Sequence, residues 1–225
     1  MTATAPRTGS YRAAALELAA RDPVIARLVT EAGLPRLPRA TETHFATLVR
    51  SVVYQQLAGA AARAIHGRLI AALDDDVTPE RVLATSTETL RAAGLSARKA
   101  ESLRDLATKV LDGTVILDPR RLGRLDDEAI ITRLSTVQGI GRWSAQIFLI
   151  FQLRRLDIWP VGDLAVRRGY GLAWHVDAPS PKQLEALGEA YRPYRTVAAW
   201  YCWRAVRLYS ATRLVTAISA AGEGS

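Results

Sequence analysis

The chain has 225 residues, and its 30 Lys and Arg residues against 22 Asp and Glu residues give a formal net charge of +8. A hydrophobic content of 49% is enough for the core of one large domain or two small ones, and it excludes a disordered chain. The single cysteine, Cys202, excludes a disulfide framework and any site built on several thiolates, iron-sulfur clusters included, and we expect it in the core.

No apolar run approaches the roughly 20 residues that span a bilayer. The first ten residues lack the apolar segment of a signal peptide. We therefore expect a soluble cytoplasmic protein that does not contact a membrane.

The positive charge is carried almost entirely by arginine, because lysine occurs only at positions 99, 109 and 182. Two explanations stay open. A GC-rich genome favours arginine and alanine together, and the planar guanidinium also suits bidentate contacts with phosphate.

Apolar periodicity and capping residues predict helices in nearly every long segment, and strand-like patterns are short and isolated, as in Thr114–Leu117. The predicted helices are Tyr11–Ala20, one opened by Asp22 and Pro23, two within Thr43–Leu73 that separate near Gly59, one starting at Thr78, then Ser86–Ala93, Ser96–Leu111, Asp126–Thr136, Arg142–Leu153, Asp163–Gly169, Ser180–Glu189 and Thr196–Tyr209. Short connections indicate a compact all-α protein of about ten helices, with frayed ends at Met1–Gly9 and Ala220–Ser225.

The most informative segment is Leu134–Ala145, where two glycines two positions apart separate amphipathic helices. Gly139 and Gly141 can adopt positive φ and carry no Cβ that would block the turn, and the apolar Ile140 between them can anchor the turn in the core. Backbone amides of the turn and of the next helix would then face outward, where the helix dipole favours an anion such as a duplex phosphate. The alternative is an ordinary connection between two helices.

This segment resembles the helix-hairpin-helix element of DNA base-excision glycosylases, in which a Gly/Pro-rich loop leads to an essential aspartate. Here Asp163 follows Trp159-Pro160-Val161-Gly162 and lies 22 residues after Gly141. The resemblance implies that Asp163 is catalytic. Considered alone, the residue would be interpreted as a plain helix N-cap.

Three further segments resemble the alkyl-base branch of this superfamily, the 3-methyladenine DNA glycosylase II group. They are the Gln-Gln-Leu segment at residues 55–57, the Gly-Leu-Ser-x-Arg-Lys-Ala turn at residues 94–100, and Arg192-Pro193-Tyr194-Arg195-Thr196 with Ala199-Trp200. The four motifs occur in the family's order and extend the resemblance from about Phe45 to Tyr209.

The resemblance implies a single all-α, two-lobed glycosylase unit spanning residues 1–225 with a cleft between its lobes. Lobe A would comprise about residues 1–44 plus 160–225, and lobe B about residues 45–159, with the hairpin at 134–145. Because only about 44 residues precede Phe45, the amino-terminal β-rich domain of longer members is not expected.

The resemblance also implies the site. Asp163 would be catalytic. Leu57 would fill the gap that a flipped base leaves in the duplex; the alternative is that Leu57 is a core residue. The damaged base would bind Trp143, Tyr194, Tyr54 and Gln55. DNA would also contact Gln56, Gly139, Gly141, Arg142 and Ser144. Backbone carbonyls of Ser135, Val137 and Ile140 would hold a monovalent cation, and no other cofactor is expected. Better-known members carry aromatic residues where this chain has Ile147 and Leu164, so the width and selectivity of its pocket are open.

The function implied is excision of alkylated bases of the 3-methyladenine type from damaged double-stranded DNA, by base flipping and hydrolysis of the N-glycosidic bond, in base excision repair. Trp143 occupies the position where glycosylases that also cut the backbone carry a lysine, so a monofunctional enzyme is expected. We expect a monomer associated with the nucleoid. The alternatives are a glycosylase for uracil, a mispaired base or an oxidised base, and a non-catalytic DNA-binding module.

Overall fold

The computed structural model describes residues 10–37 and 40–222, with side chains described up to residue 210. This part of the chain contains thirteen α-helices and one short 3-10 helix, and no strand, which confirms the all-α class. The helices are α1 Tyr11–Arg21, α2 Pro23–Ala32, α3 His44–Tyr54, α4 Gly59–Ala72, α5 Pro79–Ala84, α6 Thr87–Ala92, α7 Ala97–Leu111, α8 Pro119–Leu122, α9 Asp127–Leu134, α10 Arg142–Phe151, α11 Leu164–Trp174, α12 Pro181–Gly188 and α13 Arg195–Gly222, with the 3-10 helix at Glu189–Tyr191. The expected frayed ends lie largely outside the described residues.

Side-chain caps explain why most helices begin where the sequence predicts. Asp22 accepts hydrogen bonds from the amides of Val24 and Ile25 at 2.7 and 3.2 Å, and Pro23 occupies the first turn of α2. Ser180 forms a capping box with Gln183 at the start of α12. Such caps satisfy amides that have no acceptor within the helix, so local chemistry sets these starts.

The predicted number of about ten helices is too low, and α8 was not predicted. This helix has only four residues, too short for apolar periodicity, although Asp118 caps it and Pro119 opens it. Helix α13 also continues well past the predicted end at Tyr209.

The predicted end of α11 at Gly169 is wrong, because that helix continues to Trp174 and ends at His175 with φ of 55°. A Cβ on Gly169 would overlap the backbone carbonyl of Cys202 in α13. This glycine therefore permits close packing of two helices and does not terminate one. Cys202 itself is fully buried, as expected.

The chain divides into two compact units, each with its own buried apolar core. The first comprises the described parts of Met1–Pro38 and Arg154–Ser225, and the second those of Arg39–Leu153. Both boundaries fall a few residues before the expected lobe boundaries near 44 and 159. Across the described residues, no helix has the length and apolarity needed to cross a membrane.

Candidate functional site

The turn between α9 and α10, residues 135–141, is a tight hairpin whose apolar residue points inward. Ile140 is only 2% exposed, and its amide donates to the carbonyl of Val137 at 3.0 Å. Gly139 adopts φ of +83°, as predicted. Gly141 does not use this conformational freedom, because it has φ of −90° and is the N-cap of α10.

The two glycines therefore serve different needs. A Cβ on Gly139 would lie 2.7 Å from the Ser102 hydroxyl of α7, whereas a Cβ on Gly141 would meet nothing within 4 Å. Gly139 is required by backbone conformation and close packing, while Gly141 leaves the start of α10 open to approach from outside.

Among helices α1–α12 of the described residues, α4 and α10 begin without a side-chain cap. Each of the other ten among α1–α12 has one in the described structure. Helix α4 follows the Gln-Gln-Leu turn, and α10 follows the hairpin. Their N-caps, Ala58 and Gly141, have no side-chain acceptor, so these two positive helix ends are not neutralised by a capping oxygen.

The Gln-Gln-Leu turn that follows α3 is bonded to the hairpin. The Gln55 side chain donates from Nε2 to the carbonyl of Gly139 at 2.9 Å. Gln56 adopts φ of 57°, and Leu57 is 37% exposed at the end of this turn. The alternative of a core leucine is therefore wrong for Leu57, and its role as a wedge stays a prediction.

A mostly apolar cavity of about 670 Å³ lies between α3 and α10 in the second unit. Its lining brings together three of the predicted base-binding residues, Trp143, Tyr54 and Gln55. Trp143 is 48% exposed, so its ring is available to a ligand. The rest of the lining is Thr47, Leu48, Arg50, Ser51, Gln56, Gly139, Ser144, Ile147, Phe148, Phe151 and Gln152.

Several residues of this lining were not predicted, and helical spacing could have found them. Thr47 and Ser51 precede Gln55 at intervals of four on α3, and Phe151 follows Ile147 at the same interval on α10. Residues four apart share a helix face. Ile147 lines the cavity where better-known members carry an aromatic residue, so aliphatic carbon occupies that position of the wall.

Tyr54 is held in the wall of this cavity by a neighbouring histidine. The rings of Tyr54 and His66 meet edge to face with centroids 5.9 Å apart. Burial lowers the pKa of His66, with Glu42 opposing and Arg50 adding to the shift, so the imidazole next to Tyr54 is neutral at pH 7. The ring that packs against Tyr54 is therefore uncharged, and Tyr54 lines the cavity together with Arg50 of the same helix.

Asp163 belongs to the first unit and caps α11. Its Oδ1 accepts hydrogen bonds from the amides of Ala165 and Val166 at 2.8 and 3.0 Å, and the residue is only 8% exposed. The carboxylate therefore lies at the positive end of the α11 dipole. Burial, together with the negative charge of Asp163, raises the pKa of the Cys202 thiol, which is therefore protonated.

The segment before Asp163 is held by the start of α13. The Arg195 guanidinium bonds both carboxylate oxygens of Asp157, from Nε to Oδ1 at 2.8 Å and from Nη2 to Oδ2 at 3.0 Å. The Thr196 hydroxyl donates to the carbonyl of Arg155 at 2.7 Å and accepts from the amide of Ile158 at 2.9 Å. The Arg-Pro-Tyr-Arg-Thr motif thus anchors the segment that leads to Asp163.

The remaining predicted base-binding residue, Tyr194, lies in the first unit, together with Trp159. Tyr194 is half-buried, and a hydrogen bond with Glu17 raises its pKa. Trp159 is buried and donates from Nε1 to the carbonyl of Leu184 at 2.7 Å, so it is a core residue. Tyr194 is therefore not part of the cavity that Trp143 lines within the second unit.

Of the predicted DNA contacts, Arg142 has a partner within the protein and the Ser144 side chain is buried. The Arg142 guanidinium forms a bidentate pair with Glu128 at 2.5 and 2.8 Å, which lowers the pKa of Glu128. The Ser144 side chain is buried, so its backbone amide in the first turn of α10 is the group suited to a phosphate.

The predicted cation site uses three backbone carbonyls of the hairpin. Ser135 is the C-cap of α9, and the carbonyl of Val137 already accepts the amide of Ile140. A carbonyl oxygen has two lone pairs and is a hard ligand suited to such an ion. The site at Ser135, Val137 and Ile140 stays a prediction.

Comparisons with known proteins identify the class to which this hairpin and aspartate belong. Residues 49–193 match the HhH-GPD superfamily, described as base excision DNA repair proteins. The chain therefore belongs to the HhH-GPD superfamily, and the resemblance inferred from its motifs is confirmed.

Particular relatives are similar over most of their length. The chain is 35% identical over 211 residues to DNA-3-methyladenine glycosylase 1 of Schizosaccharomyces pombe, covering 92% of each chain. The structure of a 3-methyladenine DNA glycosylase from that organism in complex with abasic DNA matches with a TM-score of 0.75 and 34% identity, covering 87% of this chain and 97% of that one. A DNA-3-methyladenine glycosidase of Bacillus halodurans matches with a TM-score of 0.77 and 35% identity, covering 89% and 91%.

Proposed function

We propose that the protein is a monofunctional DNA glycosylase that releases alkylated bases of the 3-methyladenine type from double-stranded DNA. The observation that carries this proposal is the buried carboxylate of Asp163, fixed by two amides at the start of α11. It lies where the family motif requires its essential aspartate, and the similar proteins are named as 3-methyladenine glycosylases.

The duplex would be held by its phosphates and opened at the damaged base. The start of α10, with Gly141 open to approach, suits a phosphate oxygen, and the exposed Leu57 can fill the gap left by the flipped nucleotide. The exposed face of Trp143 suits a cationic alkylated purine, which stacks on an aromatic ring by cation-π attraction.

The chemistry needs one carboxylate. When the bond between C1′ and the base nitrogen breaks, its electron pair leaves with the base and neutralises the positive charge that alkylation introduced. The sugar becomes cationic, and the Asp163 carboxylate would stabilise it and orient a water molecule. Water then forms the new bond to C1′ and releases a proton, giving a free base and an abasic site.

Cleavage of the DNA backbone is not part of this proposal, because it requires an amine that attacks C1′. Trp143 occupies the hairpin position where a lysine would serve. Of the three lysines in the chain, Lys99 and Lys109 donate to backbone carbonyls. Lys182 lies on α12, in the unit that does not contain the hairpin. Treatment with borohydride during turnover should trap no covalent adduct.

The charge of Asp163 can be tested without removing its cap. Asparagine caps helices as well as aspartate, so Asp163→Asn should keep the start of α11 while deleting the negative charge. We expect base release from a duplex containing N7-methylguanine to fall by at least about 100-fold, as for a lost electrostatic stabiliser. Asp177→Asn, at an exposed position of the same unit, is the control and should retain wild-type activity.

Parallel assays separate the alternatives. Unchanged release by Asp163→Asn would refute the mechanism. Release only from deaminated or oxidised duplexes would indicate a glycosylase for another lesion, and duplex binding without any release would indicate a binding module. Action as a monomer and association with the nucleoid are further parts of this proposal.

A further inference from the structure

Helix α7 carries the Gly-Leu-Ser-x-Arg-Lys-Ala motif, to which the proposed chemistry gives no role. Its side chains at Lys99, Ser102, Asp105 and Lys109 are spaced by three, three and four residues. Such residues share one face of a helix. Each of the four contacts either the Gln-Gln-Leu turn or the hairpin.

At the amino-terminal end of this face, Lys99 holds the end of α3. Its Nζ donates to the carbonyls of Val53 and Gln55 at 2.7 and 2.8 Å. A cation is favoured at the negative end of a helix, because the last carbonyls there receive no hydrogen bond from within the helix. Burial lowers the pKa of Lys99, so placing the ammonium here has a desolvation cost.

Further along the same face, α7 holds the hairpin. The Asp105 carboxylate accepts from the amide of Gln138 at 2.7 Å and from Lys109 Nζ at 2.7 Å. Lys109 also donates to the carbonyl of Thr136 at 2.6 Å. Ser102 underlies Gly139, where a Cβ would lie 2.7 Å from its hydroxyl.

A direct bond between the two held segments completes this arrangement. Gln55, whose carbonyl is held by Lys99, donates its side-chain amide to the carbonyl of Gly139. The exposed Leu57 and the open start of α10 are therefore fixed at one distance from each other by a single helix and one cross-link.

We propose that Lys99 is a positioning residue for base flipping, which sets the Gln-Gln-Leu turn against the hairpin so that Leu57 enters the duplex where the hairpin holds the phosphates. This inference rests on the proposed function. The role proposed for Lys99 is in opening the duplex, whereas the role proposed for Asp163 is in cleaving the glycosidic bond. An experiment can therefore refute either role without refuting the other.

The test compares a substrate that must be opened with one that is already open. Lys99→Met keeps the aliphatic chain but deletes the ammonium, and Lys182→Met deletes one charge at an exposed position of α12. Each variant and the wild type are assayed in single turnover on N7-methylguanine in a duplex and in the same strand without its complement. In a second duplex, 2-aminopurine beside the lesion reports loss of stacking by its fluorescence.

For Lys99→Met we expect the duplex rate and the fluorescence rise to fall about tenfold or more, as for the loss of hydrogen bonds to a charged group. The single-strand rate should stay within about twofold of wild type, since no stacked base has to be displaced. Lys182→Met should match wild type, and Lys99→Arg, which keeps a donor cation, should recover most of the duplex rate.

Three outcomes would overturn the inference: a duplex rate equal to that of Lys182→Met, an equal loss on duplex and single strand, or no recovery in Lys99→Arg. If the wild type releases no base from either substrate, the proposed function fails. The 2-aminopurine signal needs no base release and would still test Lys99.

Discussion

At the residue scale, alanine substitutions at the two hairpin glycines should have different effects, although the glycines are only two positions apart. Substitution of Gly139 should affect mainly stability, and substitution of Gly141 should affect mainly duplex affinity. Gly139→Ala should lower the free energy of unfolding by about 2 kcal/mol, because left-handed backbone is costly for alanine and its Cβ must displace Ser102. Gly141→Ala should lower it by less than about 1 kcal/mol, since only N-cap preference changes. Urea unfolding of both variants measures the difference.

Duplex affinity should show the reverse order once both variants are folded. A methyl group at Gly141 occupies the open side from which a phosphate would approach the α10 amides, so fluorescence anisotropy should show weaker binding than for Gly139→Ala. Equal unfolding free energies, or wild-type affinity in Gly141→Ala, would contradict the division of roles.

Single residues were predictable where local chemistry decides their place. Asp163 at a helix start, Ile140 in the core and Gly139 at positive φ follow from capping, apolarity and turn geometry. Gly141 was not predictable in the same way. Any residue can adopt φ of −90°, so the backbone conformation at position 141 does not require glycine. The reason for a glycine here is the open space around it, which the sequence does not reveal.

At the scale of elements, starts were predicted better than ends and packing. Ser, Thr and Asp caps identify where helices begin, but Gly169 was interpreted as the end of α11. Its real constraint is the carbonyl of Cys202, a residue 33 positions later in the sequence, which local propensity does not reveal. Contacts between distant segments therefore decided what this glycine does.

The anchor between α13 and the segment before Asp163 makes an element-scale prediction. Asp157 and Arg195 are both largely buried, and neutralising Asp157 leaves the Arg195 guanidinium with only one carboxylate, that of the exposed Glu189 at 3.8 Å. Asp157→Asn should therefore destabilise the fold by about 3 kcal/mol. It should also slow base release by the folded enzyme, because the segment that leads to Asp163 loses its anchor, while duplex affinity stays unchanged.

Glu189→Gln is the matched control for this anchor. Glu189 also pairs with Arg192, at 2.8 Å, but it is exposed, so its charge should contribute little to stability or rate. Base release is measured well below the melting temperature of each variant. If Asp157→Asn is less stable but retains the wild-type rate per folded molecule, the pair supports the fold without positioning Asp163.

At the scale of the whole molecule, the four motifs predicted the family, but the cavity came from structure. Trp143, Tyr54 and Gln55 were expected together, and they line one cavity within the second unit. Tyr194 was expected beside them and belongs to the other unit. A motif identifies a residue type at a position in the chain, whereas a cavity wall depends on which helix faces meet, here those of α3 and α10.

The net charge of +8 makes the last prediction and discriminates between the two explanations for the abundance of arginine. If these cations neutralise phosphates, binding releases counterions, and affinity for an undamaged duplex should fall linearly on a double-logarithmic plot against salt. Between 50 and 200 mM salt we expect a loss on the order of 100-fold, corresponding to about four phosphates. Base release in single turnover at saturating enzyme is the internal control and should vary little, because bond cleavage follows binding. An affinity that does not change over this range would mean that the arginines reflect genome composition alone and that the duplex is held without the net charge.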